Sequence, residues 1–272
     1  MPRIVAEYID RLCAVEMRYR SPEGDIPRGL THLLFDTARA DQGGPMTYLA
    51  ASSLLDRIRP GDAVLVITGA GTPPFMPKGE TDGPPGAGVL ARALIIALGA
   101  RPLVIAEPHC LEPVVAAIEA AGVVCGDEQR FQTLGNSALA LQFPYGPNTR
   151  GWVSETVEKY RPRAMIFVEK GGRNEKGVFH TVVGTAKGDD VIAYAHYFVD
   201  EAVSRGILTI GIGDGGNEIG FGRIHARVKE FHPTGRKCRC PCGAGVVTVT
   251  STDILVVAAI SNWGAYGLAA VL

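Results

Sequence analysis

Along most of the chain, short unbroken apolar runs alternate with stretches of helical length. Residues 63–68 (AVLVIT), 103–106, 164–168 (AMIFV), 207–211 and 254–260 read as strands, with a shorter one at 123–124. Helices are predicted over 84–98, where Gly99 supplies the stop, over 111–121, 152–160 and 189–204, and in a short tail after residue 260. The first 60 residues read as helical. Ile4, Val5, Tyr8, Ile9, Leu12 and Val15 recur at helical spacing, the SPEGDIP stretch at 21–27 breaks that helix, and 28–40 and 46–58 predict two more on either side of a 41–45 break. Strands without polar alternation are buried on both faces, and strands alternating with helices connect in parallel. The expected fold is therefore α/β: a mostly parallel, doubly wound sheet with helices on both faces and a helical N-terminal segment. The simplest partition is a single α/β domain over 1–272, with 1–60 as its helical part.

Charge narrows the partners. The 27 Lys plus Arg balance 28 Asp plus Glu, so the basic excess of nucleic-acid binders is missing. The apolar runs at 63–68, 89–98 and 254–260 fall short of the roughly 18–20 residues that cross a bilayer. Glu7, Asp10 and Glu16 make the N-terminus unlike a secretory or transit signal. A soluble cytoplasmic protein with a small-molecule substrate is expected, without nucleic-acid or membrane partners; a homo-oligomer is compatible with the sequence.

Candidate chemistry gathers after the strands, where ligands of such sheets bind. After Thr68 comes Gly69-Ala70-Gly71-Thr72, then Gly79-Glu80-Thr81-Asp82-Gly83-Pro84-Pro85-Gly86-Ala87. Pro84 and Pro85 suit a first helical turn, and Asp82 stands where it would cap that helix. Free amides around Gly83, Gly86 and Ala87 would attract an anion, which Glu80 and Asp82 would repel. An amino acid resolves the conflict, carboxylate to the amides and ammonium to the acids; so does a cation between acids and anion. Capping alone, with Glu80 solvated, is the plainer alternative.

After Val168 comes Glu169-Lys170-Gly171-Gly172-Arg173-Asn174. Glu169 falls at the carboxyl end of a central strand, and Arg173 could grip a carboxylate through paired hydrogen bonds. A structural Glu169–Lys170 ion pair is the alternative. His180 reads as a structural hydrogen-bonder, or alternatively as a proton shuttle. Residues 211–216 match G-x-G-x-x-G, but no strand ending in an acid follows about 20 residues on, so a dinucleotide site is not expected. Asp214, Asn217 and Glu218 offer hard oxygen ligands for Mg²⁺, Mn²⁺ or Ca²⁺; otherwise Asp214 caps a helix and the other two are surface groups. Ser261 or Asn262 could cap a helix, and Trp263 could wall a pocket or pack in the core. The P-loop, G-x-S-x-G and H-E-x-x-H patterns are absent.

Cys13, Cys110 and Cys125 sit in apolar surroundings and read as buried thiols. Cys238, Cys240 and Cys242 lack the C-x₂-C pairs of zinc sites and read as part of a Gly/Pro-rich loop, with a soft-metal or redox role as the alternative.

The segments GETDGPPGA at 79–87, 169–174, GIGDGGNEIGFG at 211–222 and SNWGAYG at 261–267 together resemble the D-glutamate cyclase C-terminal-domain family, from about residue 28 to the end. The resemblance implies an α/β fold and hydro-lyase chemistry on a carbon–oxygen bond. D-glutamate, or a related small acidic amino acid, would close to 5-oxo-D-proline with loss of water, and a divalent cation is consistent with it. Two features depart from the family. Its mitochondrial members carry an N-terminal domain that this short chain has no room for, so another substrate is expected if that domain governs choice. The 238–242 cysteines are not a family feature.

On this reading Asp82, Glu169, Arg173 and Asp214 are catalytic, with Asp82 or Glu169 as base. Glu169, Asp214 and Glu218 surround the cation, while Asp82 and Arg173 meet the substrate. Gly69, Thr72, Glu80, Thr81, Gly83, Asn174, Asn217, Asn262 and Trp263 complete the substrate site. A metal-dependent phosphohydrolase and a non-catalytic small-ligand sensor are the competing readings.

Overall fold

A computed structural model describes residues 1–17 and 26–272. In chain order its elements are α1 (Arg3–Cys13), α2 (Leu30–Gln42), α3 (Met46–Arg57), β1 (Ala63–Ile67), α4 (Pro84–Leu98), β2 (Arg101–Ala106), α5 (Leu111–Ala120), β3 (Val124–Gly126), α6 (Glu128–Thr133), β4 (Ser137–Gln142), α7 (Arg150–Tyr160), β5 (Ala164–Val168), α8 (His196–Arg205), β6 (Leu208–Gly213), α9 (His225–Phe231), β7 (Ile254–Val257) and α10 (Ser261–Val271). The strands form one parallel sheet in the order β3-β4-β2-β1-β5-β6-β7.

The unbroken apolar runs have the expected cause. Val64 and Val66 of β1 enter a core layer with α3, α4 and α10, whereas Leu65 and Ile67 enter the opposite layer with α7 and α8. Every position of such a strand is buried, so alternation disappears. The 21–27 break lies mostly outside the described residues.

Several elements differ from the pattern reading. β4 (SALALQ) was not predicted, because its Ala- and Leu-rich sequence carries little strand propensity; it forms by insertion between β2 and β3. The short helices α6 and α9 were also absent from the reading. The helix expected over 189–204 starts only at His196. Upstream, the Gly146 amide takes the Ile192 carbonyl and the Ala193 amide reaches Glu107 Oε1, so that backbone is already engaged. The expected strand at 254–260 ends at Val257, after which the Ala259 amide turns to the Cys13 carbonyl.

In α1 the apolar face is the wrong guide. Ile4, Val5, Tyr8 and Leu12 are exposed, while Ala6 and Asp10 are buried. Asp10 anchors the helix: its carboxylate accepts the Met46 amide at 2.5 Å, the Thr47 amide at 3.2 Å and the Thr47 hydroxyl, capping α3 from 36 residues away.

Candidate active site

β2 lies on one side of β1 and β5 on the other, which makes the carboxyl ends of β1 and β5 a switch point of the sheet. The segments after β1, β5 and β6 open there into a cavity of about 610 Å³. Its walls include Thr72, Glu80 and Asp82 after β1, Glu169 after β5, and Asp214, Asn217 and Glu218 after β6. Thr181, Thr185 and Lys187 contribute from the long β5–α8 connection. Asp82, Glu169 and Asp214 each present a carboxylate oxygen within 4.8 Å of the other two.

Glu169 is the most constrained of the three. It is buried and holds φ at 49°, a left-handed conformation unfavourable for a side-chain-bearing residue. Its amide donates to the Ile212 carbonyl at 3.1 Å, and its Oε2 accepts the Ser261 hydroxyl at 2.5 Å. Burial, then the charges of Asp214, Glu218, Glu80 and Asp82, push its carboxyl well above the ordinary range. Burial raises Glu80 as well, with Lys187 opposing and Asp82 reinforcing. Glu218 is pushed up to about 7 by burial, although its carboxylate accepts the Gly215 and Gly216 amides at 3.2 and 2.8 Å.

Five carboxyl groups thus face one cavity that Lys187 also lines. A donor set of hard oxygens at this density suits a divalent cation. Asn217 Oδ1 adds a neutral oxygen, buried and without a hydrogen-bond partner, while its Nδ2 donates to the His180 carbonyl at 3.1 Å. The residues present therefore fit a hard cation.

The expected division of labour changes in detail. Asp82 replaces Glu218 in the close carboxylate group, because Glu218 is turned onto the Gly215 and Gly216 amides. Nor does Asp82 serve mainly as the cap of α4. Its Oδ2 and Oδ1 accept the Ser261 and Asn262 amides at 2.8 and 2.7 Å, capping α10. Asn262 returns the contact: its Oδ1 accepts the Gly83 and Gly86 amides at 3.0 and 2.7 Å, and its Nδ2 donates to the Thr81 carbonyl. The amides of Gly83 and Gly86, expected to receive an anion, are consumed by this contact, and that of Ala87 donates to the Gly83 carbonyl. At Gly83, φ of 105° and a Thr68 hydroxyl 2.5 Å from where a Cβ would stand leave room for glycine alone.

Other residues fall outside the cavity lining. Arg173 is half-buried; its carbonyl accepts the Val249 amide and Thr248 hydroxyl, and its charge acts on Tyr194 and His196. Asn174 braces its own loop through the Lys176 and Val178 amides and the Gly245 carbonyl. Trp263 faces a separate apolar hollow with Leu12, Val15 and Tyr266. Thr81 contributes its carbonyl to Asn262, and the Gly69 carbonyl accepts Lys170 Nζ at 3.1 Å. Lys170 does not pair with Glu169: it is wholly buried against Glu107. The glycines of 211–216 serve packing rather than a nucleotide. A Cβ on Gly211 would stand 2.3 Å from the Ile219 carbonyl oxygen, where the chain folds back over β6.

The sequence reading missed Glu107, Lys187, Thr181 and Thr185. Glu107 follows β2 directly, so the rule that favours strand ends could have found it; the others lie on an irregular connection with no periodic signal.

Residues 37–272 match the family described as D-glutamate cyclase-like, C-terminal. The human mitochondrial D-glutamate cyclase is 28% identical over 251 residues, covering 90% of this chain and 36% of that protein. The chain therefore spans about a third of the length of this curated relative. The crystal structure of AibC aligns with a TM-score of 0.30 at 12% identity, over 89% of this chain and 50% of that one. By the extent of the family match, this chain belongs to the D-glutamate cyclase-like C-terminal family.

Proposed function

We propose that the chain is a hydro-lyase that closes D-glutamate, or a closely related small acidic amino acid, to 5-oxo-D-proline with release of water, assisted by a divalent cation. The observation that carries this reading is the convergence of Asp82, Glu169 and Asp214 at the switch point of the sheet.

Ring closure joins an amine and a carboxylate of one molecule, so orientation rather than encounter sets the entropic cost. The nitrogen–carbon bond forms, one γ-carboxylate oxygen departs, and the two protons shed by the ammonium leave with it as water. Asp82, Glu169 and Asp214 would hold the cation, whose chemistry is to neutralise the γ-carboxylate and stabilise the tetrahedral oxyanion. Glu218 and Glu80 line the same cavity with raised proton affinity. They are placed to take protons from the ammonium and return one to the departing oxygen, a role that contributes about 10²–10⁴-fold. Lys187 offers a positive partner for the α-carboxylate, in place of the amides that Asn262 occupies.

The test is incubation with D- and L-glutamate, with and without Mn²⁺, following loss of the primary amine by NMR. Cation-dependent appearance of 5-oxo-D-proline from the D-isomer supports the proposal. Phosphate release from a phosphoester panel with no lactam formation would replace it with the phosphohydrolase reading.

A further inference from the structure

Away from the acidic cavity, four soft ligands meet. His180 and Cys238 are buried, Cys240 and Cys242 half-buried, and one ligand atom from each lies within 4.8 Å of the other three. Cys238 Sγ stands 3.4 Å from Cys240 Sγ and 3.3 Å from Cys242 Sγ. His180 Nε2 stands 3.2 Å from Cys240 Sγ and 3.7 Å from Cys242 Sγ. A tetrahedron with Zn–S bonds of about 2.3 Å has edges of roughly 3.8 Å. The four atoms are therefore spaced to surround one ion and are too close to bracket a multinuclear cluster.

The surroundings are those of a metal site. The other ring nitrogen of His180 lies 3.2 Å from the Val178 carbonyl, which fixes Nε2 as the ligating atom. Asn174 Nδ2 donates to Cys242 Sγ at 3.4 Å, the kind of contact that stabilises a bound thiolate. Three thiolates and a dication leave a single negative charge, and Arg236, Lys237 and Arg239 are its neighbours in sequence.

From these contacts we infer that His180, Cys238, Cys240 and Cys242 form a structural Zn²⁺ site. Three thiolates and an imidazole in a closed tetrahedron favour zinc over the hard cation that the carboxylate cavity would take. All four positions come from the protein, so the ion has a structural and not a catalytic role. What it secures is the wall of the cavity. His180 immediately precedes Thr181, and the segment running on to Lys187 is otherwise tied to the cysteine loop by the Thr234 hydroxyl on the Val182 carbonyl and the Arg239 amide on the Gly184 carbonyl. An ion shared by both segments locks Thr181, Thr185 and Lys187 in register with the carboxylates. The pattern is hard to read in sequence because the fourth ligand precedes the C-x-C-x-C group by 58 residues.

The experiment uses the full chain, purified under reducing conditions and passed through metal-free buffer. Elemental analysis should find one equivalent of zinc, retained after Mn²⁺ is removed and unchanged in Asp214→Asn. Cys240→Ser and His180→Ala should lose it. Replacing zinc by Co²⁺ in the unmutated chain, a measurement independent of whether the variants fold, should give thiolate-to-cobalt charge transfer and tetrahedral d–d bands. Amide exchange over 178–187 should quicken when zinc is stripped. A reduced chain that binds Co²⁺ without charge-transfer bands overturns the site, as does recovery of Cys238 and Cys242 as a disulfide that takes up no metal on reduction. Stoichiometric iron in place of zinc overturns the assignment of the ion.

Discussion

Asp82 and Asn262 cap each other's helices: the carboxylate of Asp82 receives the first two amides of α10, and the carboxamide of Asn262 receives the Gly83 and Gly86 amides at the start of α4. The arrangement fixes the first carboxylate of the site against the end of β7. Asn262→Ala should leave the buried Gly86 amide unsatisfied, with the Gly83 amide held by Asp82 Oδ1 alone, and lower stability by roughly 1–3 kcal/mol. Asn262→Asp keeps an acceptor and should lose less. Urea denaturation compares the three proteins, and an Asn262→Ala chain as stable as the parent would refute the capping role.

Asp214 has a different balance of effects. Its charge is the largest electrostatic cause of the raised Glu169 carboxyl after burial. Asp214→Asn should therefore stabilise the cation-free protein slightly while removing most of its Mn²⁺-induced rise in melting temperature, and should slow lactam formation by about 10²-fold or more. Calorimetric titration with Mn²⁺ alongside the NMR assay reads both. Unchanged affinity and unchanged turnover would place Asp214 outside the site.

The strands and their ends were legible in the sequence because fully buried parallel strands write unbroken apolar runs, as AVLVI and AMIFV do. Asp82, Glu169 and Asp214 could be named for the same reason: each follows such a run. What stayed hidden was long-range. Three helix starts are capped from distant sequence, α3 by Asp10, α10 by Asp82 and α4 by Asn262, so local capping rules assigned Asp82 to the wrong helix and left Gly83 and Gly86 free for an anion. Arg173 carries a residue type suited to carboxylates, yet its backbone pairs with Phe179 in a β-bridge and it does not line the cavity. Residue type specifies what a side chain can do, whereas the fold decides what it faces.

The acidic cavity should make stability depend on pH in the direction opposite to ordinary acid denaturation. Glu218 is raised from the usual 4.5 to about 7, and Glu169 is raised in the same sense by burial and by the charges of its acidic neighbours. A carboxyl that binds its proton more tightly when folded contributes stability that is complete below about 4.5 and is lost as pH rises through about 7, amounting to a few kcal/mol for a buried group. Without divalent cations the melting temperature should fall between pH 5 and pH 8, roughly. Mn²⁺ should flatten the trend by favouring the ionised forms. A cation-free melting temperature that climbs steadily over that range, with no effect of Glu218→Gln, would contradict the raised values.

Beneath the cavity, Lys170 and Glu107 form an ion pair that is essentially inaccessible to water. Lys170 Nζ also donates to the Gly69 carbonyl, and Glu107 Oε1 also accepts the Ala193 amide. The pair therefore joins the ends of β1, β2 and β5 to the start of the segment that leads into α8. Removing one partner strands the other charge in the interior, so Lys170→Met and Glu107→Leu should each cost about 3–5 kcal/mol. The double variant has no stranded charge and should be more stable than either single one, giving a favourable coupling in a double-mutant cycle. The bonds to Gly69 and Ala193 are lost in the double variant as well. Its turnover should therefore stay low even where its stability recovers, separating the pair's contribution to folding from its placement of the cavity walls. Strictly additive losses of stability would show that the two side chains do not depend on each other.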